Sequence, residues 1–164
     1  MIYLFYYFIF IVILGVTILI VGVIKSKFSI TNKKYRPKVP YTKLIHETMY
    51  YARSILYENK IKHNPVIDIR YYGTKKWAGR YFHQGKIVIY LKSNDTLTEL
   101  IDTVLHEISH HISMKTQCEE FLMYDKLMLK YGYDEHPEEI KARKFASEHL
   151  KPCIEYLLSK GVIE

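Results

Sequence analysis

Apolar residues are spaced along this chain in three ways, and each predicts a different kind of element. Residues 2–24, IYLFYYFIFIVILGVTILIVGVI, form an unbroken apolar run without a charged side chain. As a helix that run would be about 34 Å long, enough to cross a hydrocarbon core, so residues 1–24 read as a single transmembrane anchor in contact with the lipid bilayer through residues 2–24. Beyond Pro40 the pattern changes to a helical period, with Leu44, Ile45, Met49, Ala52, Ile55 and Leu56 recurring between Tyr41 and Lys60. Past Asn64-Pro65 the stretch VIDIRYY alternates and is rich in β-branched and aromatic types, which predicts a strand ended by Gly73. Trp77–Phe82 and Lys86–Leu91 flank His83-Gln84-Gly85 as the two arms of a hairpin.

The helical period then returns. Thr96 and Glu99 have capping-box spacing, and Leu97, Leu100, Ile101, Val104, Leu105, Ile108 and Ile112 make one stripe of a central helix running to about Ser113. Further helices are predicted over Glu119–Tyr131, stopped by Gly132, and over Pro137–Ser159, stopped by Gly161, with Pro152 expected to kink or split the last one. The fold class is therefore α+β: one helix, a small sheet with a hairpin, the central helix and two more helices, in a folded domain over residues 41–164.

Charge adds an orientation. The net charge is +7, and Lys25, Lys27, Lys33, Lys34, Arg36, Lys38 and Lys43 all precede the first acid, Glu47. The positive-inside rule places the domain in the cytoplasm and the N-terminus outside. A cleaved signal peptide would need a basic region before the apolar run, and none is present. Residues 25–40, with Pro37 and Pro40, read as a basic linker that either rests on anionic headgroups or is simply solvated. No nucleic-acid recognition module accompanies the charge, so nucleic acid is not expected as a partner. Two cysteines, Cys118 and Cys153, give no CxxC motif or disulfide framework, as suits a reducing compartment.

Candidate chemistry lies in the central helix, at Thr103–Ile112, TVLHEISHHI. An HExxH match is common by chance, so its placement matters. At 100° per residue His106 and His110 share a face roughly opposite the apolar stripe, where two imidazoles can take two tetrahedral positions on one Zn2+. Glu107 projects beside that face, able to take a proton from an activated water without becoming a ligand. His111 falls on the apolar stripe and reads as a packed or hydrogen-bonded histidine.

A catalytic zinc needs a third protein ligand from elsewhere. The segment HPEEIKARKFASEHLKP, His136–Pro152, offers His136, Glu138, Glu139 and His149. Glu139 is favoured because Ala142, three positions on, would let this helix approach the central one closely. Glu138 reads as a surface acid favoured by the helix dipole. Tyr131 and Tyr133 precede this helix and are candidate stabilisers of an oxyanion. Trp77 and Tyr81 read as core or cleft-wall residues.

HEISH followed by E-x-x-A-x-x-F-A resembles the gluzincin class of zinc peptidases, in which the downstream Glu is the third ligand. The longer match at Glu139, Ala142, Phe145, Ala146, Glu148, Leu150 and Pro152 is similar to the tail of the ImmA/IrrE metallopeptidases. SprT-like and membrane-bound HtpX-like proteases are more distant resemblances. The resemblance implies a zincin-like minimal metallopeptidase domain, Zn2+ on His106, His110 and Glu139, Glu107 as general base, a protein or peptide substrate, and the strand Ile87–Leu91 as an edge that holds extended substrate. An SprT-like arrangement would put His136 in place of Glu139. Arg143 stands where many of these families have Asp or Asn. The competing reading is a non-enzymatic, membrane-anchored interaction protein whose zinc is structural or absent.

Overall fold

The computed structural model describes residues 35–72, 77–116 and 123–164. In chain order the elements are α1 (Tyr41–Glu58), β1 (Val66–Arg70), β2 (Gly79–Phe82), β3 (Lys86–Tyr90), a 3-10 turn (Leu91–Ser93), α2 (Leu97–Thr116), α3 (Tyr124–Tyr131) and α4 (Pro137–Ser159). This is an α+β domain. Among the described residues no helix is long and apolar enough to cross a membrane, and the anchor expected over residues 1–24 lies outside them, as does most of the linker.

The central helix α2 starts where its sequence says it should. Thr96 Oγ1 accepts from the Glu99 N–H at 3.1 Å while Glu99 Oε2 accepts from the Thr96 and Asp95 N–H groups at 3.0 and 2.8 Å, so the first turn is capped in both directions. Its stripe of Leu100, Ile101, Val104, Leu105 and Ile108 is buried against α1, α4 and the sheet. On α4, Ala142 and Ala146 are fully buried, the small residues that let α4 lie close along α2.

Sheet order is β1-β3-β2, with β1 parallel to β3 and β2 antiparallel to it. Ile87–Leu91, expected at an edge, therefore runs through the middle. The reason is visible in its composition: Ile87, Val88 and Ile89 are successive and all buried, as a strand covered on both faces requires. The rim next to α2 is β2 instead. At the hairpin, Gly85 takes φ +80°, a conformation that costs glycine little.

Two further expectations change. Pro152 does not split α4, which continues unbroken from Pro137 to Ser159. Pro152 and Glu148, whose carbonyl loses its helical donor, are both on the exposed side, so the missing hydrogen bond faces solvent. The start of the domain also moves. Arg36 N–H donates to Glu164 O at 3.0 Å, Lys38 N–H to Val162 O at 2.9 Å and Glu164 N–H to Arg36 O at 3.0 Å, so residues 35–39 are part of the fold rather than linker.

Candidate metal centre

His106 and His110, one turn apart on α2, turn their Nε2 atoms to within 3.2 Å of each other. From the first turn of α4, Glu139 brings Oε2 to 3.1 Å from His106 Nε2 and Oε1 to 3.3 Å from His110 Nε2. At roughly 2.0–2.1 Å from a zinc ion, two ligand atoms on tetrahedral corners stand about 3.4 Å apart, so this triangle has nearly the edge length of such a site. Protons satisfy it poorly. His106 Nε2 faces both a second imidazole nitrogen and a carboxylate oxygen, and one ring N–H cannot serve both. The three residues together offer ligand atoms that all lie within 4.8 Å of one another, a group able to hold a metal ion.

Glu139 is almost fully buried. Burial alone would raise its pKa, but hydrogen bonds from His106, His110 and Tyr124 more than reverse this and hold the carboxyl far below the usual carboxylate range. Glu107 behaves in the opposite way. Burial, with Glu139 adding to it, pushes its carboxyl up to about 7, against the lowering influence of His106 and of the Tyr81 backbone N–H. Its Oε2 is buried without a hydrogen-bond partner among the described residues. Without a metal ion, two neighbouring carboxyls are thus driven apart, one kept ionised and the other raised.

Strand β2 closes the site from the other side. Tyr90 N–H donates to Ala78 O, and the alternation of an antiparallel pair then turns the backbone groups of Gly79 and Tyr81 away from β3, toward Glu107. The approach is tight. A Cβ on Gly79 would sit 2.7 Å from Thr103 Cγ2 and 2.8 Å from Glu107 Cγ, so any side chain there would have to displace α2 or the carboxylate. A cavity of about 710 Å3 opens over these groups, its wall including Trp77, Arg80, Met128 and Tyr133.

The remaining candidates separate clearly. Tyr133 lines the cavity and hydrogen-bonds Glu139, and its hydroxyl pKa is raised by burial and by that carboxylate. Tyr131 does not join it in the cavity wall, and the Lys130 ammonium lies 4.8 Å from its ring centre. His136 is fully buried and is not in the ligand group. Its Nδ1 accepts from the Glu138 N–H at 3.1 Å, capping α4, and its Nε2 lies 3.1 Å from the Tyr124 carbonyl. Glu138, expected at the surface, is buried and pairs with Lys141 at 2.8 Å. His111 bridges elements, with Nδ1 3.2 Å from the Tyr81 hydroxyl and Nε2 3.0 Å from His63 O. Arg143 reaches the loop before α4, donating to Asp134 O and lying 5.9 Å from the Tyr133 ring, rather than orienting a histidine.

Two site residues were not singled out in the sequence. Tyr124 donates its hydroxyl to Glu139 Oε1 at 2.6 Å, and Gly79 gives β2 its close approach. A Trp-x-Gly ahead of a hairpin and an HExxH helix offered a signal for Gly79. Tyr124, one of 16 tyrosines, carried none. No protein-family model, curated protein or solved structure matches the chain.

Proposed function

We propose that this chain is a membrane-anchored, zinc-dependent peptidase of gluzincin type, akin to the ImmA/IrrE enzymes, with its domain on the cytoplasmic side of the bilayer. The observation that carries the reading is the pairing of a three-residue ligand triangle with a buried carboxylate oxygen on Glu107 that has no partner among the described residues, both lining one cavity. Two imidazoles and one carboxylate suit zinc and also ferrous iron; the HExxH spacing with Glu107 beside the ligands favours zinc, and three protein ligands rather than four are what a catalytic site presents. Zinc bound there would supply Lewis acidity, lowering the pKa of water and polarising a carbonyl.

The protein's own groups then have separate tasks. Glu107 takes a proton from the attacking water and passes it to the leaving amine. The backbone of Gly79 on β2, turned away from β3, would offer pairing to an extended peptide beside Glu107, while the Tyr81 N–H holds the Glu107 carboxyl. Tyr133, in the cavity wall, would have to turn its hydroxyl from Glu139 to donate to charge developing on the scissile carbonyl oxygen.

The test uses the full chain and an unfolded model protein as substrate. Glu107→Gln retains near-stoichiometric zinc and loses cleavage by about 100-fold or more. Zinc retention with cleavage at the parental rate would sink the peptidase reading and leave an interaction protein with a structural metal.

A further inference from the structure

Glu139 comes to the ligand triangle from α4, and its carboxylate is aimed by α3. Tyr124, the first residue of α3, donates its hydroxyl to Glu139 Oε1 at 2.6 Å, a short charge-assisted hydrogen bond. The tyrosine is itself gripped. His136, the cap of α4, lies with its ring 4.1 Å centre-to-centre from that of Tyr124, inclined by 37°. Because His136 Nδ1 accepts from the Glu138 N–H, the ring proton sits on Nε2, where it donates to the Tyr124 carbonyl at 3.1 Å. His136 is completely buried, so neither contact has water to compete with it. A cap residue, an aromatic ring and a ligand carboxylate are thus linked end to end across two helices.

None of α3's residues is fully buried, and its contacts with Glu139 and His136 run through Tyr124. We infer that Tyr124 and His136 are a positioning pair for the metal: Tyr124 orients Glu139 as third ligand, and His136 acts through Tyr124 rather than binding the ion itself. This rests on the metal reading above and assigns His136, a candidate ligand by sequence, a supporting role instead. Partners of this kind that orient a ligand contribute about 10–100-fold to metal affinity.

The experiment measures zinc affinity of the full chain by chelator competition, together with the visible absorption of the Co2+-loaded protein. Tyr124→Phe keeps the ring against His136 and removes only the hydroxyl. It is expected to weaken zinc binding about 10–100-fold and to alter the Co2+ spectrum, because the carboxylate loses its fixed orientation. His136→Asn keeps a good helix cap but loses the donor to Tyr124, and is expected to weaken binding in the same direction. If His136 acts through Tyr124, the double variant binds no more weakly than Tyr124→Phe alone. A purely structural role would lower the unfolding temperature in chelator while leaving affinity and spectrum at parental values, and that result overturns the inference. So would additive losses in the double variant. A parent chain that binds no zinc would bring down the metal reading and this role with it, whereas zinc binding lost in His106→Ala but untouched in Tyr124→Phe sinks the positioning role alone.

Discussion

Glu107 is the residue whose protonation the fold controls most visibly. Below the ordinary carboxyl pKa of about 4.5 both folded and unfolded chains carry its proton, so it costs nothing there. As pH rises the unfolded chain ionises first. Stability then falls until the folded carboxyl also ionises at about 7, a loss on the order of 3 kcal/mol for the metal-free protein. Glu107→Gln removes that cost, so in chelator it is expected to melt above the parent at pH 8, with the gap closing toward pH 4.5. A gap independent of pH would show that Glu107 is not held protonated. Gly79 makes a second residue-scale prediction. Gly79→Ala places a methyl within 2.8 Å of Glu107 and Thr103 and is expected to cost about 1–3 kcal/mol in denaturant unfolding and to impair cleavage. His106, Glu107 and His110 were legible in the sequence because helical spacing alone decides which side chains share a face. Tyr124 was not, since nothing local to its sequence says which carboxylate its hydroxyl will meet.

Helices were legible where periodicity, caps and stops agreed, and α2 is the clear case, its capping box closing as the Thr96–Glu99 spacing predicts. The strands were found at nearly their observed positions, but pairing was not. Parallel pairing of β1 with β3 across the intervening β2 is a long-range choice, made because the Ile87–Ile89 run needs cover on both sides. α3 is the element with the least packing, every one of its residues remaining at least partly accessible. Its amides are expected to exchange with deuterium on the order of 100-fold faster than those in the middle of α2. Equal protection in the two helices would mean that α3 is held by more than its first residue.

At the scale of the domain, the pairing of residues 36–38 with 162–164 closes the fold where the sequence promised only a linker. Its signal was hidden because Arg36 and Lys38 pair through backbone, which leaves no trace in side-chain pattern. Val162 and Ile163 are buried beneath that pairing, so removing residues 162–164 is expected to cost about 3 kcal/mol, read as a lower midpoint in urea with little change in slope. The placement of β3 at the centre has one more result. Among the described residues it leaves two outer rims with no further strand paired to them, one on β1 and one on β2, roughly 10 Å apart across two strand spacings. A visiting chain that pairs with β2 crosses the mouth of the cavity, whereas one that pairs with β1 lies on the far side of the sheet from it. Self-association through β1 and occupancy of the cleft are therefore separable events, and a domain that sticks to its own copies by that outer strand would still present an unobstructed cleft.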